Sequence, residues 1–428
     1  MTEQEDRDVD EALALVGRET PAAPQPSPPE GHRTVSWADA RARAALTGHT
    51  APVVTRRTPL DRALGRTLAE PLAALTDLPS FDTSAMDGWA VAGPGPWQLT
   101  SGSGILAGHS APEPLADGEA VRIATGARIP SDATAVVRSE HSRAEEGTGL
   151  LYARHPVVQG QDIRPRGQEC RSGDQLLPVG ALVTPAVLGL AAAAGYDELL
   201  TISRPRVEVL ILGDELLVEG LPRDGLIRDA LGPMIGPWIR SLGADVLSTR
   251  RLGDDADALH HAITTSEADL IVTTGGTAAG PVDHVHPTLR KAGAELLVDG
   301  VAVRPGHPML LARLAEGRHL VGLPGNPLAA VSGLLTLAEP LLRTRSGRTD
   351  TEGYSAPVRA HVQGHPSDTR LVPVVHRAEE IDPLHFNGPA MLRGMAAADG
   401  LAVVPPGGAR AGQRLEVLDL PAAGECFT

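Results

Sequence analysis

Aromatic side chains are scarce in this chain of 428 residues. They make up 2% of it, so a hydrophobic core has to be built from Leu, Val, Ile and Ala. Cysteine is also rare: Cys170 and Cys426 form neither a metal-binding spacing nor a disulfide framework, which is typical of a reducing compartment. A basic excess is missing too, because the formal net charge is −15. This charge argues against nucleic acid or an anionic membrane as the main partner.

Long apolar runs are missing as well. The least polar stretch, residues 181–196, is too short to span a membrane and contains Pro185. The first residues are acidic and include no apolar segment of the kind found in secretory signals. We therefore expect a cytoplasmic protein without membrane association. Because the chain is acidic, an anionic substrate must be captured by local donors or by a metal ion.

The length of the chain is enough for two to four domains. Residues 1–33 contain a Pro-rich stretch and are expected to be a disordered tail. Residues 34–78 and 164–204 show helical spacing of apolar residues, and the segment between them, 79–163, shows short β-type runs separated by turn formers. This pattern predicts a split helical domain that carries an inserted β domain.

The second half of the chain has a different pattern. Residues 205–346 alternate between strand-like and helix-like segments, which indicates a mostly parallel sheet with helices on both faces. Residues 347–428 contain short β-type runs and predict a second small β domain. The expected fold class is therefore multidomain α/β plus β. Ligands of such parallel sheets bind beyond the carboxyl ends of the strands.

Residues 269–285, DLIVTTGGTAAGPVDHV, predict a strand, a glycine turn and a helix in succession. Gly275 and Gly276 allow a tight turn, and Gly280-Pro281 suits the start of a helix with Asp283 in its first turn. Backbone N–H groups at such a turn can bind an anion, and Asp283 can hold a hard cation beside it. The alternative is a simple connection without a ligand. The spacing matches neither a dinucleotide fingerprint nor a P-loop.

Further polar residues follow neighbouring strands of the same predicted sheet. Gly325 and Asn326 precede Pro327, and the latter two suit the cap and the first position of a helix. Carboxylates follow other strands, at Asp214, Glu215, Asp254 and Asp255. Carboxylates at one edge repel each other unless they share a cation, and Mg²⁺ prefers such oxygen ligands together with phosphate. The residues thus predict a Mg²⁺-assisted site for a phosphorylated or oxyanionic substrate, with solvated helix caps as the alternative.

Six short segments, in the same order, resemble those of one enzyme family. They are FDTSAMDGWA at residues 81–90, TGA at 125–127, GDEL at 213–216, GG…G…D over 275–283, RPG at 304–306 and GLPGNP at 322–327. Each segment is short, but the set is specific and covers most of the chain from about residue 34 onward. The sequence resembles the molybdopterin molybdenumtransferases, the family of the bacterial molybdenum-insertion enzyme and of the C-terminal part of gephyrin.

The resemblance implies four domains: the split helical domain, the inserted β domain, an α/β pterin-binding domain at residues 205–346 and a C-terminal β barrel at 347–428. It also implies an elongated homodimer in which the insertion of one subunit lies near the α/β site of the other. The implied reaction is insertion of molybdate into adenylylated molybdopterin, assisted by Mg²⁺, with release of AMP.

The resemblance further implies roles for particular residues. Catalytic roles fall on five positions: Asp87, Thr125, Glu215, Asp255 and Asp283. Among these, Glu215 and Asp283 are the expected metal ligands. Substrate binding falls on seven positions, of which Arg304 matches a family lysine: Gly275, Gly276, Gly280, Arg304, Pro324, Gly325 and Asn326.

Several positions depart from the family's pattern, and most of the changes remove a cationic or hydroxyl group. Gly300 and His307 replace lysines, Pro389 replaces a common serine, Ala278 stands in the loop that usually carries serine, and Asp229-Ala-Leu231 replaces Asp-Ser/Thr-Asn. Losing a cationic contact weakens oxyanion binding, because charge-assisted hydrogen bonds are the stronger ones. Two alternatives to an active transferase therefore stay open: a non-catalytic paralogue that acts as a dimeric pterin-binding scaffold or regulator, and a nucleotide pyrophosphatase.

Overall fold

The structure of the chain is a computed structural model that describes residues 34–102, 104–108, 112–278, 283–348 and 353–420. The expected tail at residues 1–33, Gly280 and Cys426 lie outside these ranges. Within these ranges, no helix combines the length and the apolar character needed to cross a lipid bilayer.

A six-stranded sheet forms the α/β domain. In spatial order its strands are Asp245–Leu252, Arg206–Leu212, Leu270–Thr274, Arg318–Leu323, Leu310–Ala315 and Glu295–Asp299. The first four strands are parallel to each other, whereas Leu310–Ala315 pairs with both of its neighbours in antiparallel fashion. Every residue of Leu270–Thr274 is buried. This burial is typical of a parallel strand that is covered on both faces.

Helices cover both faces of this sheet. Successive side chains of a strand point to opposite faces. Accordingly, Ile211 belongs to a core that includes the helices Leu231–Ser241 and Pro327–Gly333. Its neighbour Leu210 belongs to a separate core with the helices Ala256–Thr265 and Val285–Lys291. The predicted parallel sheet between two helical layers is therefore confirmed.

The first helix in the described ranges, Trp37–Thr50, packs on the α/β domain. Its small residues Ala40 and Ala44 are fully buried in the same core as the sheet. At Gly48 a methyl group would lie 2.7 Å from the carbonyl oxygen of Leu341, so only glycine allows this approach. The facing chain is the helix Pro327–Gly333, which continues through a π-helical turn, Leu334–Ala338, into Glu339–Arg345. Trp37 Nε1 donates a 3.1 Å hydrogen bond to Thr336 Oγ1.

The rest of the predicted split helical domain is mostly strand and turn. The helices there are short, Leu60–Ala63 and Pro185–Ala193. The strands pair across the insertion: Thr55–Pro59 with Glu198–Ile202, Leu72–Ala73 with Gln175–Leu177, and Thr83–Ser84 with Ile163–Arg164. The helix predicted to begin near residue 164 is therefore wrong as far as Thr184, where the observed helix is capped. Positive φ angles at Gly167, Gly173 and Gly180 explain this, because glycine turns interrupt helical backbone.

The described residues of the predicted insertion form mainly β structure. Its six-stranded sheet runs in the order Ala135–Arg138, Gly88–Val91, Glu119–Ile123, Trp97–Leu99, Leu150–Ala153 and Ser142–Glu145. A short 3₁₀ helix, Ser139–His141, connects two of these strands. Trp97 and Leu151 belong to its core, which therefore contains one of the few tryptophans.

The C-terminal region forms a seven-stranded sheet that borrows strands from elsewhere. Its path is Val35–Ser36, Val301–Arg304, Thr369–Arg377, Gly400–Val404, Arg414–Asp419 and Tyr354–Pro357, and Glu380–Pro383 pairs beside Thr369–Arg377. A short helix, Arg393–Ala397, precedes Gly400. Val358, which follows the strand Tyr354–Pro357, forms a parallel bridge with Ile381, and the Arg359 amide donates a 3.0 Å hydrogen bond to the Ile381 carbonyl, so the sheet curls back on itself. Closure into a complete barrel stays a prediction. Only Gly300 separates Val301–Arg304 from the α/β strand Glu295–Asp299, so the two sheets are joined there.

His319 is an unusual polar residue inside the α/β core. It is 1% exposed, and neither ring nitrogen has a hydrogen-bond partner among the described residues. Burial, assisted by the nearby charges of Arg345 and Arg313, lowers the pKa of His319 from 6.5 to about 4. Folding therefore keeps this imidazole neutral at pH values where the unfolded chain is protonated.

We expect this histidine to make folding stability depend on pH. Between pH 6.5 and about 4 the unfolded chain binds a proton that the folded chain does not, so stability is lost as the pH falls through this window. The loss from this group amounts to roughly 3 kcal/mol. Urea unfolding of His319→Leu from pH 7 to pH 4.5 should show a shallower decline than wild type. The exposed His361, changed to Gln, serves as control, and equal slopes for wild type and His319→Leu would contradict the expectation.

Candidate functional site

The candidate site lies where parallel strands of the α/β sheet end side by side. Ile211 is level with Thr274, and Thr274 is level with Leu323. Leu212 is likewise level with Leu252 in the edge strand. The loops that follow these strands therefore form one continuous edge. They begin at Gly253, Gly213, Gly275 and Pro324.

The glycine loops approach each other closely at this edge. Gly275 and Gly276 have φ angles of +85° and +65°, which favour glycine. A methyl group on Gly325 would lie 3.6 Å from the Cα atom of Gly275, so the loops meet in van der Waals contact. The amide of Gly275 donates a 2.8 Å hydrogen bond to the carbonyl of Leu323. This amide is used within the fold, so an anion has to be bound by other groups of the loops.

The acidic loop after strand Arg206–Leu212 is exposed. The Glu215 carboxylate folds back over Gly213, and the Asp214 carboxylate lies against Gly253 in the neighbouring loop. Glu215 is thus at the predicted edge and accessible to a ligand. Its backbone carbonyl accepts a 2.8 Å hydrogen bond from Ile227. The short paired strands Leu216–Leu217 and Ile227–Arg228 hold the loop in place.

Asp255 lies at the same edge but acts as a helix cap. Its Oδ1 atom accepts hydrogen bonds from the amides of Asp257, at 2.8 Å, and Ala258, at 3.0 Å. It is the N-cap of the helix Ala256–Thr265. Asp255 therefore caps a helix from an exposed position, as the alternative to a metal site predicted. Its assignment as a catalytic residue stays a prediction.

Asp283 lies before its helix rather than in the first turn. The helix is Val285–Lys291, with His284 as N-cap, so the prediction that Asp283 lies in its first turn is wrong. Pro281, the predicted first residue, lies outside the described residues. Asp283 is half-buried. The amide of Val285 donates a 3.4 Å hydrogen bond to the carbonyl of Gly276, which ties this segment to the glycine loop. Asp283 therefore lies two positions before Val285, the residue that contacts the predicted anion loop.

The helix after Asn326 begins as predicted, but its amides are occupied. Asn326 is the N-cap and Pro327 the first helical residue. The next two amides, those of Leu328 and Ala329, donate to the carbonyl of Pro389 at 2.9 and 3.3 Å. The carbonyl of Pro389 thus covers this helix end. Gly325 and Asn326 are exposed, whereas Pro324 is buried beneath them.

Arg304 is engaged by a carboxylate of the C-terminal sheet. Its Nε donates to Asp368 Oδ2 at 2.8 Å. Burial alone would raise the pKa of Asp368, but hydrogen bonds from Arg304 and Ser367 outweigh it and lower that pKa. His307, at the next departure from the family, is 2.8 Å through Nδ1 from the Val301 carbonyl. Arg304 and His307 are thus both bound by groups of the protein itself.

Asp87 and Thr125 form a separate unit in the inserted β sheet. Asp87 Oδ1 accepts a 2.6 Å hydrogen bond from the Thr125 amide and a 2.9 Å bond from its hydroxyl. These two bonds, the backbone one first, lower the pKa of Asp87. Both residues are exposed and follow or precede strands of this sheet, not of the α/β sheet. The structure thus pairs them with each other.

The described residues contain no group of three or more His, Cys, Asp or Glu side chains arranged to hold a metal ion. A Mg²⁺ site needs fewer protein ligands than that, because the ion usually keeps waters and substrate phosphate. The exposed carboxylate of Glu215 and the half-buried Asp283 provide oxygen donors of the suitable kind. The donor chemistry at this edge therefore fits the ion.

The sequence reasoning missed a structural role for Asp229. This residue is 5% exposed and accepts hydrogen bonds from Arg251 Nε and Nη2 at 2.9 and 2.6 Å. It also accepts a 2.8 Å bond from the Gly232 amide in the first turn of helix Leu231–Ser241. An aspartate three residues before a helical amide is a recognisable capping signal. It links the helix to the edge strand that leads into Asp255.

Three family descriptions match successive parts of the chain. "MoeA N-terminal region (domain I and II)" matches residues 35–195, "Probable molybdopterin binding domain" matches 208–344, and "MoeA C-terminal region (domain IV)" matches 355–420. A solved structure titled as a molybdopterin biosynthesis MoeA protein from Pyrococcus horikosii shares the fold. It has a TM-score of 0.72 and 24% identity, and the match covers 91% of this chain and 99% of that one.

Curated relatives are similar over most of the chain. "Molybdopterin molybdenumtransferase 2" of Mycobacterium tuberculosis is 35% identical over 392 residues, which is 85% of this chain and 94% of the relative. "Molybdopterin molybdenumtransferase" of Staphylococcus aureus is 34% identical over 299 residues, covering 67% and 71%. With three matching regions and relatives of this extent, the chain belongs to the molybdopterin molybdenumtransferase family, whose members are transferase enzymes of molybdenum cofactor biosynthesis.

Proposed function

We propose that this protein inserts molybdate into adenylylated molybdopterin in a Mg²⁺-dependent reaction that releases AMP. The observation that supports this most is the convergence of the exposed Glu215, the glycine loops at Gly275 and Gly325, and the segment of Asp283 at one sheet edge. Glycine loops let a phosphate approach the backbone, and carboxylates beside them suit a bridging cation. The substrate class follows from the family.

Glu215 and Asp283 are the residues that we propose to hold Mg²⁺. Bound there, Mg²⁺ would supply positive charge that offsets the phosphate charge when AMP is released. The chain's own part is to place two carboxylates at the sheet edge that carries the glycine loops. Exposure of Glu215 leaves its oxygens accessible, and half-burial of Asp283 limits its mobility.

The oxyanion must be bound with few cationic side chains. Arg304 is shared with Asp368, and Gly300 has no side chain. We therefore propose that loop amides and the metal ion bind molybdate. Arg304 also contributes, although its ion pair with Asp368 weakens its attraction for an anion. Arg304 is still partly exposed, at 37% of its side chain, so a substrate can reach it.

The protein is proposed to act as a homodimer whose sites are shared between subunits. Asp87 and Thr125 lie in the inserted sheet, away from the α/β sheet in sequence and in hydrogen bonding. Their exposed, preformed pair suits contact with a substrate bound by the partner's α/β domain. In this arrangement the inserted domain and the α/β domain of one chain serve different sites.

The first test concerns the proposed metal ligand. Asp283→Ala should lower molybdenum insertion by at least about 10²-fold, because a cation ligand is removed, with little change in the urea-unfolding midpoint. Activity is measured with purified protein and by complementation of a bacterial strain that lacks the transferase. Asp257→Ala is the matched control, since this exposed carboxylate on a neighbouring helix pairs with Lys291 outside the site.

The wild-type protein, in the same complementation assay, distinguishes the transferase from the scaffold alternative. Failure of the folded, dimeric wild-type chain to complement would refute the transferase proposal and leave the scaffold alternative. Full activity of Asp283→Ala would instead refute its role as a metal ligand. Hydrolysis of a nucleotide pyrophosphate without molybdenum insertion would favour the pyrophosphatase alternative.

The second test concerns the shared site. Asp87→Asn and Asp283→Ala should each be inactive alone, yet co-expressed chains should regain activity. Random pairing gives heterodimers with one intact site, so the expected recovery is about a quarter of wild-type activity. Glu146→Gln, an exposed change in the same β domain, controls for unspecific effects of substitution there. No recovery in verified heterodimers would show that each site is built from one chain.

A further inference from the structure

A second polar cavity lies at the opposite end of the α/β sheet. It has a volume of about 370 Å³, and five arginines line it: Arg56, Arg66, Arg204, Arg206 and Arg345. We call it the arginine pocket. Arg206 is the first residue of the strand Arg206–Leu212, whereas the candidate site follows the last residue of the same strand. A strand of this length separates the two places by roughly 20 Å.

Positive charge exceeds negative charge in the arginine pocket. Among the described residues, two carboxylates line it, Asp245 and Asp269. Asp269 is shared, since it lies 3.7 Å from Arg206 and 3.7 Å from Arg345. Asp245 is 3.7 Å from Arg204. These separations are long for ion pairs, so the carboxylates neutralise the five guanidinium groups incompletely.

Arg66 is the most informative residue of the pocket. It is 8% exposed, and its Nε donates a 3.1 Å hydrogen bond to the Arg62 carbonyl. Burial lowers the pKa of Arg66, and the positive charges of Arg56 and Arg204 lower it further, while the Asp245 carboxylate opposes this shift without cancelling it. A buried guanidinium next to two others is unfavourable unless an anion compensates it. The fold nevertheless keeps this arrangement.

Arg204 also carries a buried donor that no described residue satisfies. Its Nε atom is buried and has no hydrogen-bond partner within the described ranges. Its Nη2 donates a 3.0 Å bond to the Leu64 carbonyl, which fixes the side chain. A buried guanidinium donor without a partner costs free energy, and a ligand oxygen would satisfy it.

We propose that the arginine pocket binds a small doubly charged oxyanion, either a free tetrahedral ion or the terminal group of a phosphate ester. Guanidinium groups bind such oxygens in bidentate fashion with charge-assisted bonds. The net charge of −15 repels anions at long range, so capture requires a local cluster of this kind. The volume exceeds that of one ion and leaves room for an ester. This site is separate from the proposed molybdenum chemistry and does not depend on it.

The position of the pocket gives the bound anion a structural effect. Ser203, Arg204 and Pro205 link the strand Glu198–Ile202, outside the α/β domain, to the strand Arg206–Leu212 inside it. Arg56 belongs to the strand that pairs with Glu198–Ile202. An anion held by arginines from both parts thus connects the α/β sheet to the region that carries the inserted β domain.

Titration calorimetry on the full-length protein tests the proposal, with phosphate, molybdate and AMP as separate probes in chloride buffer. All proteins carry Asp283→Ala, which weakens the strand-end site. At least one probe should bind saturably, with one site per chain. Arg56→Gln, at an exposed position, and Arg66→Gln should each weaken that binding by about tenfold or more, the range expected for loss of a charge-assisted contact.

Arg57→Gln is the matched control. Arg57 is the neighbour of Arg56, pairs with Glu198 at 3.4 Å and does not line the pocket, so this change should leave affinity unaltered. Preference for phosphate or AMP over molybdate identifies a phosphate ligand, and the reverse identifies a metal oxyanion. Absence of saturable binding by any probe, or equal affinities in Arg56→Gln and Arg57→Gln, would overturn the proposal. Arg56→Gln keeps the test valid if Arg66→Gln fails to fold.

Discussion

Parallel pairing in the α/β sheet is the constraint on which the rest of the structure depends. It brings the residues after Leu212, Thr274 and Leu323 into line. Both faces of the middle strand are buried, so a shift of register by one residue would exchange its two cores. Because the register is fixed, each loop at the carboxyl edge of the sheet begins at a defined position. Further contacts, such as the paired strands Leu216–Leu217 and Ile227–Arg228, then hold the individual loops.

Local signals were enough to predict much of this edge from sequence. The apolar run before Gly275, the cap-and-proline pair at Asn326 and Pro327, and the capping aspartate at Asp255 all describe backbone within a few residues. The start of the helix after the glycine loop was wrong for a local reason as well. Two prolines, Pro281 and Pro287, suit a first helical turn, and the observed helix Val285–Lys291 uses the second.

Long-range partners were beyond such reasoning. The sequence shows Arg304 as a free cation, but Asp368, 64 residues later, binds it. The open helix end after Asn326 is covered by the Pro389 carbonyl. Asp87 and Thr125 resemble turn residues until pairing of their strands brings them together. In each case the deciding contact joins segments that no spacing rule connects, and it changes which groups remain accessible to a substrate.

The docking of helix Trp37–Thr50 has a consequence for biosynthesis. Its tryptophan bonds to Thr336, 299 residues further along the chain. At ordinary translation speeds of about 5–20 residues per second, the partner emerges about 15–60 s after the helix. During that interval Trp37 and the alanine face of the helix have no native surface to cover them. The nascent α/β domain therefore stays incomplete until its last helix, Glu339–Arg345, has left the ribosome, a period in which protection by a chaperone is most useful.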